Sequence, residues 1–395
     1  MKLKHFFFLI AILFSIHFYG QNTLSEKATV SVVTCGPGAE LYSSFGHSAF
    51  RVFDPINKID NIYNYGTFDF DAPNFYLNFA KGKLTYQLSK ARYGYFLQIY
   101  NYEKRWVKTQ ELNLSNAQVQ ATYNFLENNA KPENKNYQYD FFYNNCSTKI
   151  EEVIKGILKD SVRFNNNHIT TQKTHRDLIY DYTKNQKWGK FGIDLALGSV
   201  IDKKATKDDY KFLPDYIFSA FENATITTKN GKQPLVKETK TVLNPKSNEV
   251  LKPLAFLTTP LFLISCISLL ILFLSYKNFK NNTRSKWLDF SLFFSTGIVG
   301  IAVLLLWFAT DHTATYKNLN FLWAFAPNFI VAFYALKSKL PKWILYYTLL
   351  LIGLIALTLI LWIFKVQVFN IAILPFLIAL MVHYLFLINF IKKQF

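Results

Sequence analysis

Nothing in the 395-residue chain resembles a Walker loop, a dinucleotide-binding glycine motif or a zinc-binding cluster of His and Cys, so no cofactor or metal is expected. Acidic residues are scarce: 26 Asp and Glu stand against 44 Lys and Arg, a formal net charge of +18. Such an excess can mark a nucleic-acid binder, but much of it falls in loops between apolar runs, where its meaning is topological. No nucleic-acid partner is therefore expected. Cysteine is scarcer still. Of the three, Cys266 lies in an apolar run, which leaves Cys35 and Cys146 either to pair as a disulfide or to supply a working thiol.

What is abundant is segregated along the chain. Charged and amide residues crowd the first 250 positions, and long apolar runs follow. Four of these, 254–275, 288–308, 343–364 and 368–390, are long enough to cross a bilayer. A fifth, 321–336, is short and contains Pro327, which suits either a span or a re-entrant segment. Loop charges decide between them. Lys277, Lys280, Arg284, Lys286, Lys337, Lys339, Lys342, Lys392 and Lys393 fall on one side, with only Lys317 and Lys365 on the other, provided that 321–336 crosses. The basic side is cytoplasmic, so the first half of the chain lies outside and the C-terminus inside. The outer loop Thr310-Asp311-His312 beside Trp307 reads as solvated loop before it reads as a site.

The N-terminus carries Lys2 and Lys4 ahead of a short apolar stretch at 6–18, with Gly20 near the expected cut, the pattern of an export signal. The resulting layout is a signal peptide at 1–20, an exported domain at 21–228, a linker or hairpin at 229–252 and a transmembrane helical domain at 253–395.

Within the exported part, residues 28–34 and the second half of 41–54 alternate as strands, with a return strand at 61–65. Helical patterns occupy 75–79 and 112–128, the latter capped at Ser115, and a strand-like stretch at 105–112 precedes it. Another amphipathic helix opens at Asn144-Asn145-Cys146, with Thr148 and Glu151 spaced as a capping box. Cys146 thus sits where unpaired N–H groups and the helix dipole favour an anion, conditions that lower a thiol pKa. A cysteine nucleophile needs a base. His47, between Gly46 and Ser48 at the start of a strand, is the best placed; His168 reads as loop, and His175 with Arg176 as a surface helix. A lone Cys–His pair is more often structural than catalytic, and spacing alone leaves that choice open.

Two stretches carry a resemblance. Residues 34–52, from Thr34-Cys35-Gly36 through Gly46-His47-Ser48, followed far downstream by Asn144-Asn145-Cys146-Ser147, resemble a papain-like fold in permuted order, the His-bearing strand preceding the Cys-bearing helix. More closely, the chain resembles the Lnb-type lipoprotein N-acyltransferase family, which the segments 79–89, 175–178 and 188–198 with Asp202 also match. The resemblance implies an α+β permuted papain-like exported domain followed by an all-α transmembrane bundle of about five helices. It implies acyl transfer from a phospholipid donor through a Cys146 thioester to the N-terminal amine of a lipoprotein acceptor. His47 would be the base, Asn64 the residue orienting it with Tyr65 or Tyr63 as substitutes, and the Cys146 N–H with the Asn145 side chain the oxyanion donors. Cys35, Glu40, Tyr42 and Arg51 belong to the motif, with structural roles expected and Cys35 expected free. A membrane-tethered Cys–His hydrolase, such as a lipase or cell-wall amidopeptidase, and a non-enzymatic envelope sensor or scaffold are the alternatives.

Overall fold

The computed structural model describes residues 23–69, 71–245 and 255–395. The expected signal peptide lies outside the described residues. The exported half is α+β. Strands β1 (Thr29–Cys35), β2 (His47–Asp54), β3 (Ile59–Thr67) and β4 (Thr85–Arg92) pair antiparallel in succession, β5 (Val107–Leu112) lies beside β1, and β6 (Asn136–Gln138) beside β4. β7 (Val162–Arg163), β8 (Thr225–Thr228) and β9 (Gly231–Pro234) form a separate small sheet, and β10 (Val236–Leu243) joins the free edge of β5. The large sheet has the order β10-β5-β1-β2-β3-β4-β6. Residues 231–243, read from sequence as linker or hairpin, are therefore strands of the exported domain. Their charged residues face water along an edge strand, which is why the stretch looks like linker.

Both faces of the large sheet are covered, so its central strands are apolar on both sides. Val30, Val32, Phe50, Val52, Tyr63 and Tyr65 face one core, filled by α3 (Asn116–Asn129), α4 (Cys146–Leu158) and, further on, α7 (Pro214–Glu222). Val33, Cys35, Ala49 and Ile62 face the other, under Tyr93, Phe96 and Tyr100 of α2 (Tyr93–Tyr102). α1 (Phe75–Ala80) stands between β3 and β4 in the chain. Two more helices, α5 (His175–Tyr182) and α6 (Lys187–Ala196), form a satellite between the sheet domain and the bundle.

The second half is helical: α8 (Pro260–Lys280), α9 (Lys286–Phe308), α10 (Asn328–Ala335), α11 (Trp343–Ile363) and α12 (Ile373–Lys392). Four of these are long and apolar enough to cross a membrane. α10 has only eight residues, yet the segment around it traverses the bundle. At one end Asn318 and Asn320 donate to carbonyls of Asp194, Leu195 and Ala196 in the exported domain. At the other, the Lys337 carbonyl accepts from Arg284 and Ser338 accepts from Lys286, at the far end of α9. Irregular backbone is tolerated at that depth because it is buried in protein. It packs on α9 at Gly297 and Gly300, where a β-carbon would collide with Phe329 and Ala324 backbone. The C-terminus lies at the end remote from the exported domain, where Lys393 donates to Asn282.

A charged cluster is buried between three spans. His383 on α12 bonds Ser275 of α8 through Nδ1 (2.8 Å) and Asp289 of α9 through Nε2 (3.0 Å), and Arg284 pairs with Asp289 at 3.2 Å.

Candidate active site

Cys146 is the first residue of α4, and its place is set by the residue before it. Asn145 caps the helix: its side-chain oxygen accepts from Ser147 N (2.8 Å) and Thr148 N (3.0 Å), and the Thr148 hydroxyl accepts from Asn145 N. The capping box is thus Asn145–Thr148, three residues earlier than the Thr148–Glu151 box expected. Both amide hydrogens of Asn145 are also committed, to the carbonyls of Phe141 and Phe212 at 2.8 Å each. The expectation that this side chain would be an oxyanion donor is corrected. Its amide is used up in tying the helix start to a loop 67 residues further on. The backbone N–H of Cys146 itself has no acceptor among the described residues, consistent with its position in the first turn.

His47 begins β2 and bonds Asn64 of β3 through Nε2. The imidazole and the Cys146 sulfur are near enough for each to act electrostatically on the other, and with Nε2 engaged by Asn64 the nitrogen left to face the sulfur is Nδ1. Gly66, two residues beyond Asn64, has φ +83° and lies at a register break in the β3–β4 ladder. A β-carbon there would stand 3.5 Å from Cys146 Cβ and 4.0 Å from His47 Cε1, so the bare backbone of Gly66 forms one wall of the site.

The electrostatics favour an ion pair. Burial pushes the Cys146 thiol up, but the His47 charge, its hydrogen bond, the Ser48 backbone N–H and the Ser147 hydroxyl outweigh it and bring the pKa below the ordinary value. Burial likewise disfavours imidazolium at His47, and the charge of Cys146 with hydrogen bonds to Cys146 and Asn64 holds its pKa above the ordinary value. The two groups support a thiolate and an imidazolium side by side.

The other motif residues fall outside this cluster. Tyr65 points into the core and donates to Asn129 Oδ1 (2.5 Å), and Tyr63 donates to Glu127, so neither orients the imidazole as expected. Cys35 stands across the β1–β2 ladder from His47, but on a fully buried position. Burial pushes its thiol far up, opposed by Arg105 and a hydrogen bond with Tyr100, and it is unpaired with Cys146. Arg51 pairs with Asp60 (2.7 and 3.0 Å) and lies over Tyr93. Tyr42 and Glu40 are exposed, the Glu40 backbone carbonyl receiving Ser43 N in a turn.

A second cluster escaped the sequence reading. Arg176, placed by sequence on a surface helix, is 1% exposed. It grips Asp202 with two bonds (2.7 and 3.0 Å), Asp194 with one (2.8 Å), and the carbonyls of Leu197 and Gly198. The bundle completes the cluster through Asn370, and α6 lays Phe191 and Leu195 on the bundle core. The spacing of Arg176, Asp194 and Asp202 was visible, but a charged triad of that kind is read as surface unless its burial is known. Closer to Cys146, Asp140 accepts from Thr313 of the outer loop after α9 (2.8 Å), which puts the thiol at the end of the domain that meets the bundle.

Fold and site together define a membrane protein whose exported α+β domain presents a Cys–His–Asn cluster above a helical bundle. The family model described as the Lnb N-terminal periplasmic domain matches residues 17–180, and that described as the Lnb transmembrane domain matches residues 252–394. The chain belongs to the Lnb-type family. It is accordingly an inner-membrane protein with its N-terminal domain in the periplasm, and the membership points to a lipoprotein N-acyltransferase-like role. No curated protein and no solved structure matches the chain.

Proposed function

We propose that the protein is a thiol-dependent acyltransferase that moves an acyl chain from a phospholipid to the N-terminal amine of a diacylated lipoprotein. The observation that carries this reading is the electrostatically coupled Cys146–His47 pair at the bundle-facing end of the domain, with no acceptor for the Cys146 N–H among the described residues. The Cys146 thiolate attacks the ester carbonyl, and the Cys146 N–H receives the developing oxyanion. Collapse expels the lysophospholipid alkoxide, which takes its proton from the His47 imidazolium. The lipoprotein amine then attacks the thioester, His47 accepts the amine proton, and the amide leaves as the thiolate re-forms. Asn64 holds the imidazole through Nε2 so that Nδ1 faces the sulfur.

Placement above a bundle suits a lipid donor. Drawing a chain of about 16 carbons into water would cost about 12 kcal/mol, at about 0.8 per CH₂. A site at the bilayer surface avoids most of that cost, and a dry site slows hydrolysis of the thioester. The fold would share the permuted papain-like arrangement, in which a His-bearing strand precedes the Cys-bearing helix. With the domain periplasmic, the C-terminus, at the opposite end of the bundle, is cytoplasmic.

Mass spectrometry of a model lipoprotein's N-terminal peptide, in cells lacking an N-acyltransferase, tests the proposal. One added acyl group with the wild-type protein, absent with Cys146→Ala, is expected. An unmodified amine despite good expression, or free fatty acid as the sole product, would overturn it.

A further inference from the structure

Three large apolar side chains on the short helix α1 are bare: Tyr76 is 75% exposed, Leu77 52% and Phe79 49%. Their location gives them a partner. The Phe79 carbonyl bonds the His312 ring (2.9 Å) and the Lys81 carbonyl accepts from Asp311 N (2.9 Å). That loop follows Phe308, the last residue of the apolar span α9, which is itself 72% exposed and stacked on Trp307. α1 is therefore held at the level where hydrocarbon gives way to headgroups, the depth at which aromatic side chains gather on membrane proteins.

Beside α1 the structure holds a cavity of about 360 Å³ whose lining includes Phe75, Phe79 and Tyr86 together with Lys83, Lys135 and Asp69. That volume is at the small end of ligand sites, roughly 300–1,000 Å³. It admits a headgroup with the first part of a chain and leaves the remainder of a lipid in the bilayer. Neither lysine makes an ion pair with a described residue. The cavity's wall adjoins residues beside the Cys146–His47 cluster. Phe68, also lining it, lies two residues beyond Gly66, and Tyr86 stacks on Tyr139 (4.2 Å) and pairs across the ladder with Tyr137. The Tyr137 hydroxyl would be 3.9 Å from a β-carbon at Gly66.

We infer that this cavity receives the donor glycerophospholipid, its phosphate between Lys83 and Lys135 and its acyl chain entering along Phe75 and Phe79 from the bilayer edge at α1. The inference rests on the acyl-transfer reading for its consequence, but lipid occupancy can be read separately. In the first experiment, the full-length Cys146→Ser protein in nanodiscs is loaded with phosphatidylethanolamine carrying a photoactivatable acyl chain. Cross-linked peptides are expected within residues 68–87. In the second, the K83E/K135E variant is expected to raise KM for the phospholipid by about 30-fold or more, as loss of two lysines near a lipid surface, with reversal of their charge, should. Acylation of Cys146 by a water-soluble short-chain p-nitrophenyl ester should stay at the wild-type rate, which also shows that the variant is folded. Cross-links confined to other segments, or an unchanged KM, would overturn the lipid site. Failure of Cys146 to acylate with either donor would count against the acyl-transfer reading, while the cross-link would still decide the site.

Discussion

Asp194, buried in the exported domain, accepts a 2.7 Å hydrogen bond from the Asn370 amide of the bundle. A charge cluster centred on Arg176 is thereby completed across the boundary between the two halves of the molecule. Asn318 and Asn320 add bonds to the carbonyls of Leu195, Ala196 and Asp194, so the exported domain is tied to the bundle at several points.

Asn370→Ala removes one donor from a buried carboxylate, a loss of about 1–3 kcal/mol. Turnover with a phospholipid donor is expected to fall several-fold, while alkylation of Cys146 by iodoacetamide keeps its wild-type rate. Equal losses in both assays would mean that the contact supports the fold of the site and not its placement. Arg176→Ala, which strands two buried carboxylates, should cost about 3–5 kcal/mol and reduce the yield of folded protein.

The pH dependence of Cys146 alkylation follows from the two directions of shift. The thiol pKa is lowered, so reactivity should persist well below the ordinary thiol value of about 8.5. In His47→Ala the charge and hydrogen bond that lower it vanish and burial remains, so the inflection should move upward and the rate at pH 7 fall by more than about 10-fold. The His47 pKa is raised, so its imidazolium, and with it the alkaline limb of acyl transfer, should extend above about 6.5. An unchanged inflection in His47→Ala would sink the ion-pair assignment.

Gly66→Ala places a methyl group against Cys146 and asks an L-residue to hold φ +83°, a strain of about 1–2 kcal/mol. Acyl transfer should drop sharply with only a modest loss of thermal stability. Gly156→Ala on α4, where a β-carbon meets nothing within 4 Å, is the control and should stabilise by about 0.5–1 kcal/mol.

The His383–Asp289–Ser275 cluster ties α8, α9 and α12 at the end of the bundle remote from the exported domain. His383→Leu leaves Asp289 buried with only Arg284, and unfolding in nanodiscs should show a loss of about 3–5 kcal/mol. Ser275→Ala deletes a neutral partner and should cost about 0.5–1.5 kcal/mol. Comparable losses for the two variants would argue that the His383–Asp289 contact contributes no more to holding the spans together than the Ser275 bond does.

The apolar spans and the helix opening at Cys146 were legible because their signals are local or strong, whereas His47 was singled out as its partner only with the help of the family resemblance. Apolar length decides membrane insertion, loop lysines decide orientation, and a cysteine at a helix start has a restricted set of chemical uses. The roles expected of Tyr65 and the Asn145 side chain were not legible. Both are polar groups beside the site in sequence, and strand alternation turns Tyr65 to the core while Phe212 captures the Asn145 amide.

By itself, then, the sequence determined a two-part membrane protein and the helix that opens at Cys146, because hydrophobic length, charge asymmetry and capping act over a few residues and survive any tertiary arrangement. The packing of 319–336 against Gly297 and Gly300, the return of 236–243 to the sheet and the burial of Arg176 were decided only by the tertiary structure. Each depends on what a distant segment supplies, a glycine groove, an open strand edge or a pair of carboxylates. Burial of a polar or irregular segment is stable only where such partners meet it.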